Sequence, residues 1–155
     1  MGNVLDKFHY GIYVMGTVNG DMINTMIASW VTQLSGDPAL VGVAVKKGRR
    51  TAEMLEQGEM FTLALLGKDH AAAMSKFKGE KIMGPGTIND EPVKIASNGA
   101  PVPEQCVGYV ELRMQAQADM GNHILFIGQV LDETMVDGGE ALAVADLDGH
   151  VYRGT

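Results

Sequence analysis

The side chains best suited to bind a ligand lie in two neighbouring stretches of the first third of the chain. The first, residues 20–38, alternates like a strand and carries hydroxyl and amide side chains and one indole that could line a flat polar ring. The second, residues 46–50, reads Lys-Lys-Gly-Arg-Arg and is followed by Thr51. Lysine, arginine and glycine-flanked backbone amides bind phosphate through several charge-assisted hydrogen bonds. Together the two stretches predict a site for a phosphorylated aromatic cofactor.

The basic cluster is a local exception in an acidic chain. The formal net charge is −7, yet residues 46–50 hold four of the twelve lysines and arginines. This negative charge argues against nucleic acid or an anionic membrane as a partner. Considered alone, such a cluster is more often a solvated turn, but its position after a strand with polar side chains favours phosphate binding.

Composition limits the class of protein. A length of 155 residues with 46% hydrophobic and 20% charged residues indicates one globular domain, residues 1–155, with its own core. Cys106 is the single cysteine, which excludes an internal disulfide and a CxxC redox pair, and we expect a buried, inert thiol. We find no signal-peptide pattern and no apolar run of bilayer length, so we expect a soluble cytoplasmic protein with no membrane partner.

Hydrophobic periodicity and turn residues predict a chain dominated by strands. The predicted strands are 11–18, 22–33, 40–45, 61–66, 106–117, 122–136 and 147–152. The first two form a hairpin around an Asn-Gly turn. The run at 40–45 is almost entirely apolar, which is typical of a strand buried on both faces.

The remaining segments predict two helices and a long loop. A helix over 50–57 begins directly after the basic cluster, so Thr51 could cap this helix instead of binding phosphate. A second helix, over 70–77, follows Asp69 as its N-cap. Residues 79–103 are rich in glycine, proline and asparagine and predict a loop. Because strands outnumber helices without a βαβ rhythm, we expect a mostly β fold, a β-barrel with a few helices.

The sequence offers no constellation of catalytic side chains. The four histidines, His9, His70, His123 and His150, are scattered and show no metal-ligand spacing, so we expect no metal site. Serine-hydrolase, Walker and dinucleotide-binding motifs are also missing. We therefore assign no catalytic residue, which is expected where a bound cofactor performs redox chemistry.

Several motifs follow one another in a fixed order along the chain. They are Gly-Asp-x-Ile-Asn at 20–24, Ala28-Ser29, Ser35-x-Asp37-Pro38, the Lys-x-x-x-Thr turn at 47–51, FTLALLG at 61–67, NHILFIGQV at 122–130 and DGHVYRG at 148–154. Their order and spacing resemble those of the flavin reductase-like, FMN-binding split barrels over most of the chain. The resemblance implies a split-barrel fold with FMN as the cofactor.

The resemblance also implies which residues bind FMN. The residues alongside the isoalloxazine ring would be Asn24, Thr25, Met26, Ile27, Ala28 and Ser29, and those at the phosphate Lys47, Arg49 and Thr51, with Lys46 and Arg50 as adjacent candidates. Backbone amides at the carbonyl edge of the ring would raise the reduction potential, because N1 and O2 gain negative charge on reduction. The alternative for residues 24–29 is an edge strand with a polar outer face.

Other residues have weaker assignments within the resemblance. His150, Tyr152 and Arg153 would lie near a nicotinamide or a partner face, and His123 lies on the late strand. Each could instead be a packing or anchoring residue. The segment 76–81 could close over the flavin or be ordinary loop charge, and we expect Trp30 to pack in the core rather than flank the flavin.

The implied function is that of an FMN-binding oxidoreductase, which takes electrons from NAD(P)H or a redox protein and passes them on through FMN. The resemblance further implies a homodimer with FMN at or near the interface. One alternative is an electron carrier that holds FMN tightly and exchanges electrons with a small iron protein such as rubredoxin. Another is a split barrel for haem or a deazaflavin, although the phosphate turn favours a phosphorylated ligand over haem.

Overall fold

Two antiparallel sheets form the framework of the computed structural model, which describes residues 3–147. The strands are β1 (Tyr13–Asn19), β2 (Met22–Ala28), β3 (Val31–Gly36), β4 (Ala39–Lys46), β5 (Met60–Leu65), β6 (Met83–Gly84), β7 (Thr87–Ile88), β8 (Glu91–Ile95), β9 (Pro101–Pro103), β10 (Gly108–Asp119) and β11 (His123–Met135). The helices are α1 (Arg50–Gln57) and the 3₁₀ helices Val4–Lys7, Lys68–Phe77 and Val144–Asp146. The large sheet has the order β2-β1-β5-β10-β11-β4-β3, and the small sheet β6-β7-β8-β9.

The long β10–β11 hairpin holds the large sheet together. Residues 108–113 of β10 pair with β5, whereas residues 123–129 of β11 pair with β4. Two register shifts interrupt the hairpin, between Glu111 and Leu112 and between Met114 and Ala116. Bulges of this kind bend a strand and increase its twist, so they curl the sheet between its two halves.

Side chains of the large sheet point alternately into two apolar cores. The core inside the curled sheet contains Met15, Met26, Ala28, Val43, Val45, Ala52, Leu55, Phe61, Leu63, Leu112 and Phe126. The outer core contains Val14, Ile27, Ala64 and Tyr109 of the same sheet, covered by Phe77, Ile88, Val93 and Val102. Strands β1 and β5 are therefore buried on both faces, and the prediction of a mostly β fold with a barrel core is confirmed.

Residues 141–144 form main-chain hydrogen bonds with residues just before β1 and just after β5. Ile12 N donates to Leu142 O at 3.1 Å, and Leu142 N donates to Leu66 O at 2.8 Å. Val144 N donates to Tyr10 O at 2.8 Å. Leu142 and Val144 are buried in the outer core, so this segment closes that core with both its backbone and its side chains.

The predicted strand over 22–33 is in fact two strands. Residues up to Ala28 pair with β1, whereas residues from Val31 onward pair with β4 at the opposite edge of the large sheet. Ser29 and Trp30 connect the two edges. The alternation in the sequence continues across this connection, so periodicity alone did not reveal the change of partner.

Two further expectations are corrected. The helix predicted over 70–77 is a 3₁₀ helix that begins at Lys68, and its N-cap is Gly67 rather than Asp69. Gly67 N donates to Nδ1 of His70 at 3.1 Å, so the histidine at N3 accepts from the N–H of the N-cap residue, as a glutamate does in a capping box. The predicted loop 79–103 contains the whole small sheet, whose strands of two to five residues are too short to show a period.

Other elements agree with the sequence more closely. The α1 helix and strands β5, β10 and β11 lie where expected, and α1 buries Met54 and Leu55 and exposes Glu53 and Glu56. In β4, Val43 is fully buried, but neighbouring positions remain partly exposed, so burial on both faces is incomplete. The strand predicted over 147–152 lies outside the described residues except for Leu147. Within residues 3–147, no helix is both long and apolar enough to span a bilayer.

The small sheet approaches the large one closely at Gly16 of β1. Thr62 Oγ1 donates to Pro101 O at 2.7 Å across this crossing. A Cβ atom at Gly16 would collide with Pro101 O and with Thr62 Oγ1. The absence of a side chain at Gly16 therefore permits the two sheets to pack at this point.

We expect Gly16→Ala to lower the free energy of unfolding by about 1–3 kcal/mol, because the added methyl group overpacks a rigid backbone contact. Urea denaturation measures this change. The matched control is Gly36→Ala in the edge strand β3, where an added Cβ would meet no atom of residues 3–147 within 4 Å. Equal stabilities of the two variants would show that the crossing is not tightly packed.

Candidate cofactor site

A cavity of about 1230 Å³ runs along the outer edge of β2. Because β1 is the only described neighbour of β2 in the large sheet, the other edge of β2 pairs with no strand. Residues from both faces of the strand line the cavity, with Asn24 and Met26 on one face and Ile23 and Ile27 on the other. The cavity is therefore bordered by a strand edge that can offer main-chain groups as well as side chains.

The N-terminus of α1 forms one end of this cavity. Arg49, the N-cap, makes no side-chain cap hydrogen bond, and Glu53 N donates to Arg49 O at 3.1 Å. The preceding amides, of residues 50–52, have no acceptor within the helix. The partial positive charge of a helix N-terminus and such amides attract anions.

Thr51 connects this helix to β2. Its Oγ1 accepts a hydrogen bond from Asn24 Nδ2 at 3.3 Å, and both side chains are buried. Thr51 does not cap the helix, so that alternative reading of the sequence is wrong. Thr17 Oγ1 adds a bond to Asn24 O at 3.4 Å. The strand edge and the helix N-terminus are thus held in a fixed relation.

Basic side chains are concentrated around the cavity. The cations among its lining residues are Arg49, Arg50, Lys78 and Lys81, and the carboxylates are Asp21 and Glu80. Burial lowers the pKa of Lys81, and the nearby positive charge of Arg50 lowers this pKa further. In a chain of net charge −7, this concentration of cations makes the cavity a favourable place for an anion.

Lys47 lies outside the cavity. Its Nζ forms an ion pair with Asp119 Oδ2 at 2.7 Å, and its backbone N donates to Asn122 O at 3.0 Å. The hydrogen bond from Lys47 also lowers the pKa of Asp119. Of the three residues predicted for the phosphate, the structure brings Arg49 and Thr51 together and directs Lys47 to the β10–β11 turn.

Beyond the cavity, β2, its connection to β3 and the start of β11 carry buried polar atoms without partners among the described residues. Thr25 Oγ1, Ser29 Oγ, Trp30 Nε1 and His123 Nε2 are buried and make no hydrogen bond with any group of residues 3–147. The Trp30 ring lies 4.5 Å from the His123 ring and 6.5 Å from the Tyr10 ring, measured between centroids. Trp30, expected in the core, belongs to neither apolar core. Ala28 faces the inner core, so it offers a ligand no side-chain contact from there.

His123 presents a bare nitrogen in this group. Its Nδ1 lies 2.7 Å from Asn122 Oδ1, an acceptor, so Nδ1 carries the proton and Nε2 has a free lone pair. Burial lowers the pKa of His123, and the positive charge of Lys46 lowers this pKa further. The ring is therefore neutral near pH 7 and can accept a hydrogen bond from a ligand.

Sequence reasoning missed most of the cavity wall opposite β2. The wall residues from the predicted loop are Gly79, Glu80, Lys81, Met83, Gly84, Gly86, Thr87, Val93 and Ile95. The run of charge at 76–81, which predicts either a cover over the flavin or ordinary loop charge, is the only sequence signal for this wall. His150, Tyr152 and Arg153 lie outside the described residues.

Cys106 takes no part in the cavity. It is free and buried, and burial raises its pKa to about 11, so the thiol stays protonated. This agrees with the expectation of an inert cysteine. Among residues 3–147, no group of three or more histidine, cysteine, aspartate and glutamate side chains could hold a metal ion.

Comparisons with known proteins are consistent across sequence and structure. Residues 5–154 match the family described as "Flavin reductase like domain", which confirms the resemblance seen in the motifs. The high molecular weight rubredoxin of Moorella thermoacetica is 28% identical over 97% of this chain and 66% of its own length. The chain thus spans less than two thirds of this relative, and only 22% of a diflavin flavoprotein of Nostoc sp..

Solved structures show the same fold. An NADH:FAD oxidoreductase of Streptomyces globisporus has a TM-score of 0.82 at 22% identity, over 98% of this chain and 89% of the other. An FMN-binding protein of Thermus thermophilus has a TM-score of 0.78 at 22% identity, over 96% and 85%. The fold is therefore the split barrel of these proteins.

The buried, neutral His123 should make stability depend on pH. Because its pKa is lowered from 6.5 in the folded chain, the unfolded chain binds more protons below that pH. The stability that the neutral ring provides is present above about pH 6.5 and is lost as the pH falls. We expect His123→Asn to lose less stability than the parent between about pH 7.5 and about pH 5 in urea denaturation.

The control for this prediction is His9→Asn, because His9 is exposed. This variant should keep the pH dependence of the parent chain. If His123→Asn and the parent lost the same stability on acidification, the ring would not be held in its neutral form.

Proposed function

The chain belongs to the flavin reductase-like family, and we propose that it is an oxidoreductase that binds FMN and transfers electrons through it. The observation that carries this proposal is the cavity between the open edge of β2 and the N-terminus of α1. It joins a site for an anion to a strand edge that could run alongside a flat ring. Both parts belong to the stretches whose side chains suggested a phosphorylated aromatic cofactor.

The phosphate would lie at the N-terminus of α1. There Arg49 and the amides of residues 50–52 supply a charge and several hydrogen-bond donors. Thr51 supplies a hydroxyl, held in place by Asn24. Lys47 is bound to Asp119 and is not part of this proposal for the phosphate.

The ring would lie further along β2, towards the buried polar atoms. From Asn24 to Ala28 an extended strand covers roughly 13 Å. Buried polar atoms without partners cost free energy, so their presence supports a polar ligand at this position. Thr25, Ser29 and Trp30 can donate hydrogen bonds to flavin carbonyl and ring-nitrogen acceptors, and His123 Nε2 can accept one from a ring N–H.

The bound flavin supplies the redox chemistry, which is why the protein needs no nucleophile or acid–base pair of its own. Donors of the protein at the carbonyl edge of the ring favour its electron-rich reduced form and raise its potential. Because His123 is neutral, it places no positive charge beside the reduced ring. Asn24 and Thr51 keep the two binding regions at a constant separation.

NAD(P)H or a small redox protein is the proposed electron source. A hydride donor fits the Streptomyces globisporus neighbour, whose description names NADH and FAD. The alternative, an FMN electron carrier that serves a small iron protein, is favoured by the relative described as a high molecular weight rubredoxin. We still predict that the nicotinamide or the partner lies near His150, Tyr152 and Arg153.

We further propose a cytoplasmic homodimer. The reduced, buried Cys106 fits a reducing compartment. Exposed apolar side chains in the last part of β11 and directly after it, Leu131, Met135 and Val136, offer a surface that a second copy could cover. Sedimentation equilibrium should give twice the chain mass of 16.6 kDa, and a single-chain mass would remove the dimer from the proposal.

The test of the function is the visible spectrum of the purified protein, followed anaerobically after addition of NADH or NADPH. Flavin bands that bleach at a catalytically useful rate would support a reductase. Flavin bands that respond only to a reduced iron protein would support the electron carrier. A colourless protein that does not bind added FMN would contradict both functions.

Arg49→Met should weaken FMN binding about ten- to a hundredfold, because losing one charged partner of the phosphate costs roughly 1.5–3 kcal/mol. Quenching of flavin fluorescence measures the affinity. Riboflavin, which lacks the phosphate, should bind the parent and Arg49→Met with similar affinity.

Lys47→Met is the matched control, since it removes one positive charge outside the cavity. It should leave FMN affinity within about twofold of the parent. If Lys47→Met weakened FMN binding as much as Arg49→Met, the phosphate would not be at the helix N-terminus.

A further inference from the structure

The wall opposite β2 carries a lysine whose position is fixed by one side chain. Asn89 Oδ1 accepts from Ile82 N at 2.7 Å, and Asn89 Nδ2 donates to Lys76 O at 2.8 Å. The same Nδ2 lies 3.4 Å from Glu80 O, and Asn89 N donates to Ile82 O at 2.8 Å. Asn89 therefore bonds to the main chain both before Lys81 and directly after it.

Lys81 is held over the cavity by this arrangement. Its Nζ donates to Gly79 O at 2.7 Å, and the residue is partly buried. Lys81 and Arg50 both line the cavity, Lys81 from the wall opposite β2 and Arg50 from the end formed by α1. Within residues 3–147, neither residue forms an ion pair with a carboxylate.

Two like charges in the same cavity repel each other unless an anion binds to both. Arg50 is close enough to Lys81 for its charge to lower the lysine pKa, in addition to the effect of burial. A phosphate bound to both would offset the repulsion and the cost of burying the lysine charge, and it would accept hydrogen bonds from both side chains.

The cavity has room for such a group in addition to the proposed FMN phosphate. Its volume of about 1230 Å³ exceeds the range of roughly 300–1,000 Å³ typical of sites for one small ligand. The proposed FMN phosphate uses Arg49, Thr51 and the helix amides, which leaves Arg50 and Lys81 for a second anion.

We propose that Arg50 and Lys81 form a second phosphate-binding site, which takes a phosphate of a nucleotide, and that Asn89 is the positioning residue for Lys81. The identity of the nucleotide rests on the proposed function, because a flavin nucleotide and a pyridine nucleotide both carry this chemistry. The site itself does not depend on which of them binds.

The test begins with inorganic pyrophosphate titrated calorimetrically into the flavin-free chain. We expect the parent to bind it, Lys81→Met to bind it at least about tenfold more weakly, and Lys81→Arg to restore most of the affinity. Lys76→Met, which removes a neighbouring charge outside the cavity, should match the parent. If the parent does not bind pyrophosphate, or if Lys81→Met binds it like Lys76→Met, the second site is overturned.

Nucleotide titrations then identify the source of the phosphate. A loss of affinity in Lys81→Met for FAD, but not for FMN or riboflavin, assigns the site to the second phosphate of FAD, whereas an equal loss for FMN would place the FMN phosphate itself at Lys81 and overturn a second site. A loss for NADPH or NADH with flavin affinity unchanged assigns it to the pyridine nucleotide. If the parent chain binds no flavin, the proposed function fails, whereas Lys81-dependent binding of pyrophosphate would still support the site.

The role of Asn89 requires a readout that follows the position of Lys81. Asn89 has φ +49°, so Asn89→Gly removes the side chain without straining the backbone. We expect faster amide hydrogen exchange at residues 79–84 together with weaker pyrophosphate binding, by several-fold. Asp90→Gly, at a residue with φ +65°, is the matched control and should change neither quantity. Faster exchange with unchanged affinity would overturn the positioning role.

Discussion

Continuity of the large sheet depends on the pairing of one hairpin with two different neighbours. One part of the β10–β11 hairpin pairs with β5 and another with β4, and the bulges between them turn the sheet. Without that hairpin, β1, β2 and β5 would form one sheet and β3 and β4 another. Its bend allows the chain to pass from the edge strand β2 directly into the opposite edge strand β3. Ser29 and Trp30 lie at that passage, beside His123 at the start of β11, so the same bend assembles the buried polar group.

Several features of the proposed site lower the stability of the chain when no ligand is bound. In the part of the chain that the structure describes, buried hydroxyl, indole and imidazole atoms have no partners, and Arg50 and Lys81 line the same cavity. Each of these costs stability, and each becomes favourable once a ligand supplies the missing acceptor or negative charge. A ligand that binds only the folded chain therefore raises the stability of the fold in proportion to the logarithm of its concentration. Stability that is given up locally to recognise a ligand is typical of functional sites.

Local patterns in the sequence predicted those parts of the fold and site that depend on neighbouring residues. The α1 helix, the hairpin of β10 and β11, and the position of Arg49 and Thr51 at a helix start are of this kind. The rest depends on distant partners. Lys47 leaves the cavity because Asp119, 72 residues away, binds it. The wall that carries Lys81 forms because Asn89 and the short strands of the small sheet pair across glycine and proline turns. Strands of two or three residues have no period to detect.

Residues 141–144 give the chain a particular order of assembly during synthesis. They provide hydrogen-bond partners for the main chain of Tyr10, Ile12 and Leu66, residues that leave the ribosome much earlier. Until they emerge, the outer core lacks Leu142 and Val144, and the apolar surface around Val14 and Ala64 has no cover on that side. The nascent chain therefore cannot complete its fold until residues 141–144, close to the end of the described part, have been synthesised. Its partly formed sheet therefore keeps apolar surface exposed for most of translation, the condition under which chains associate wrongly.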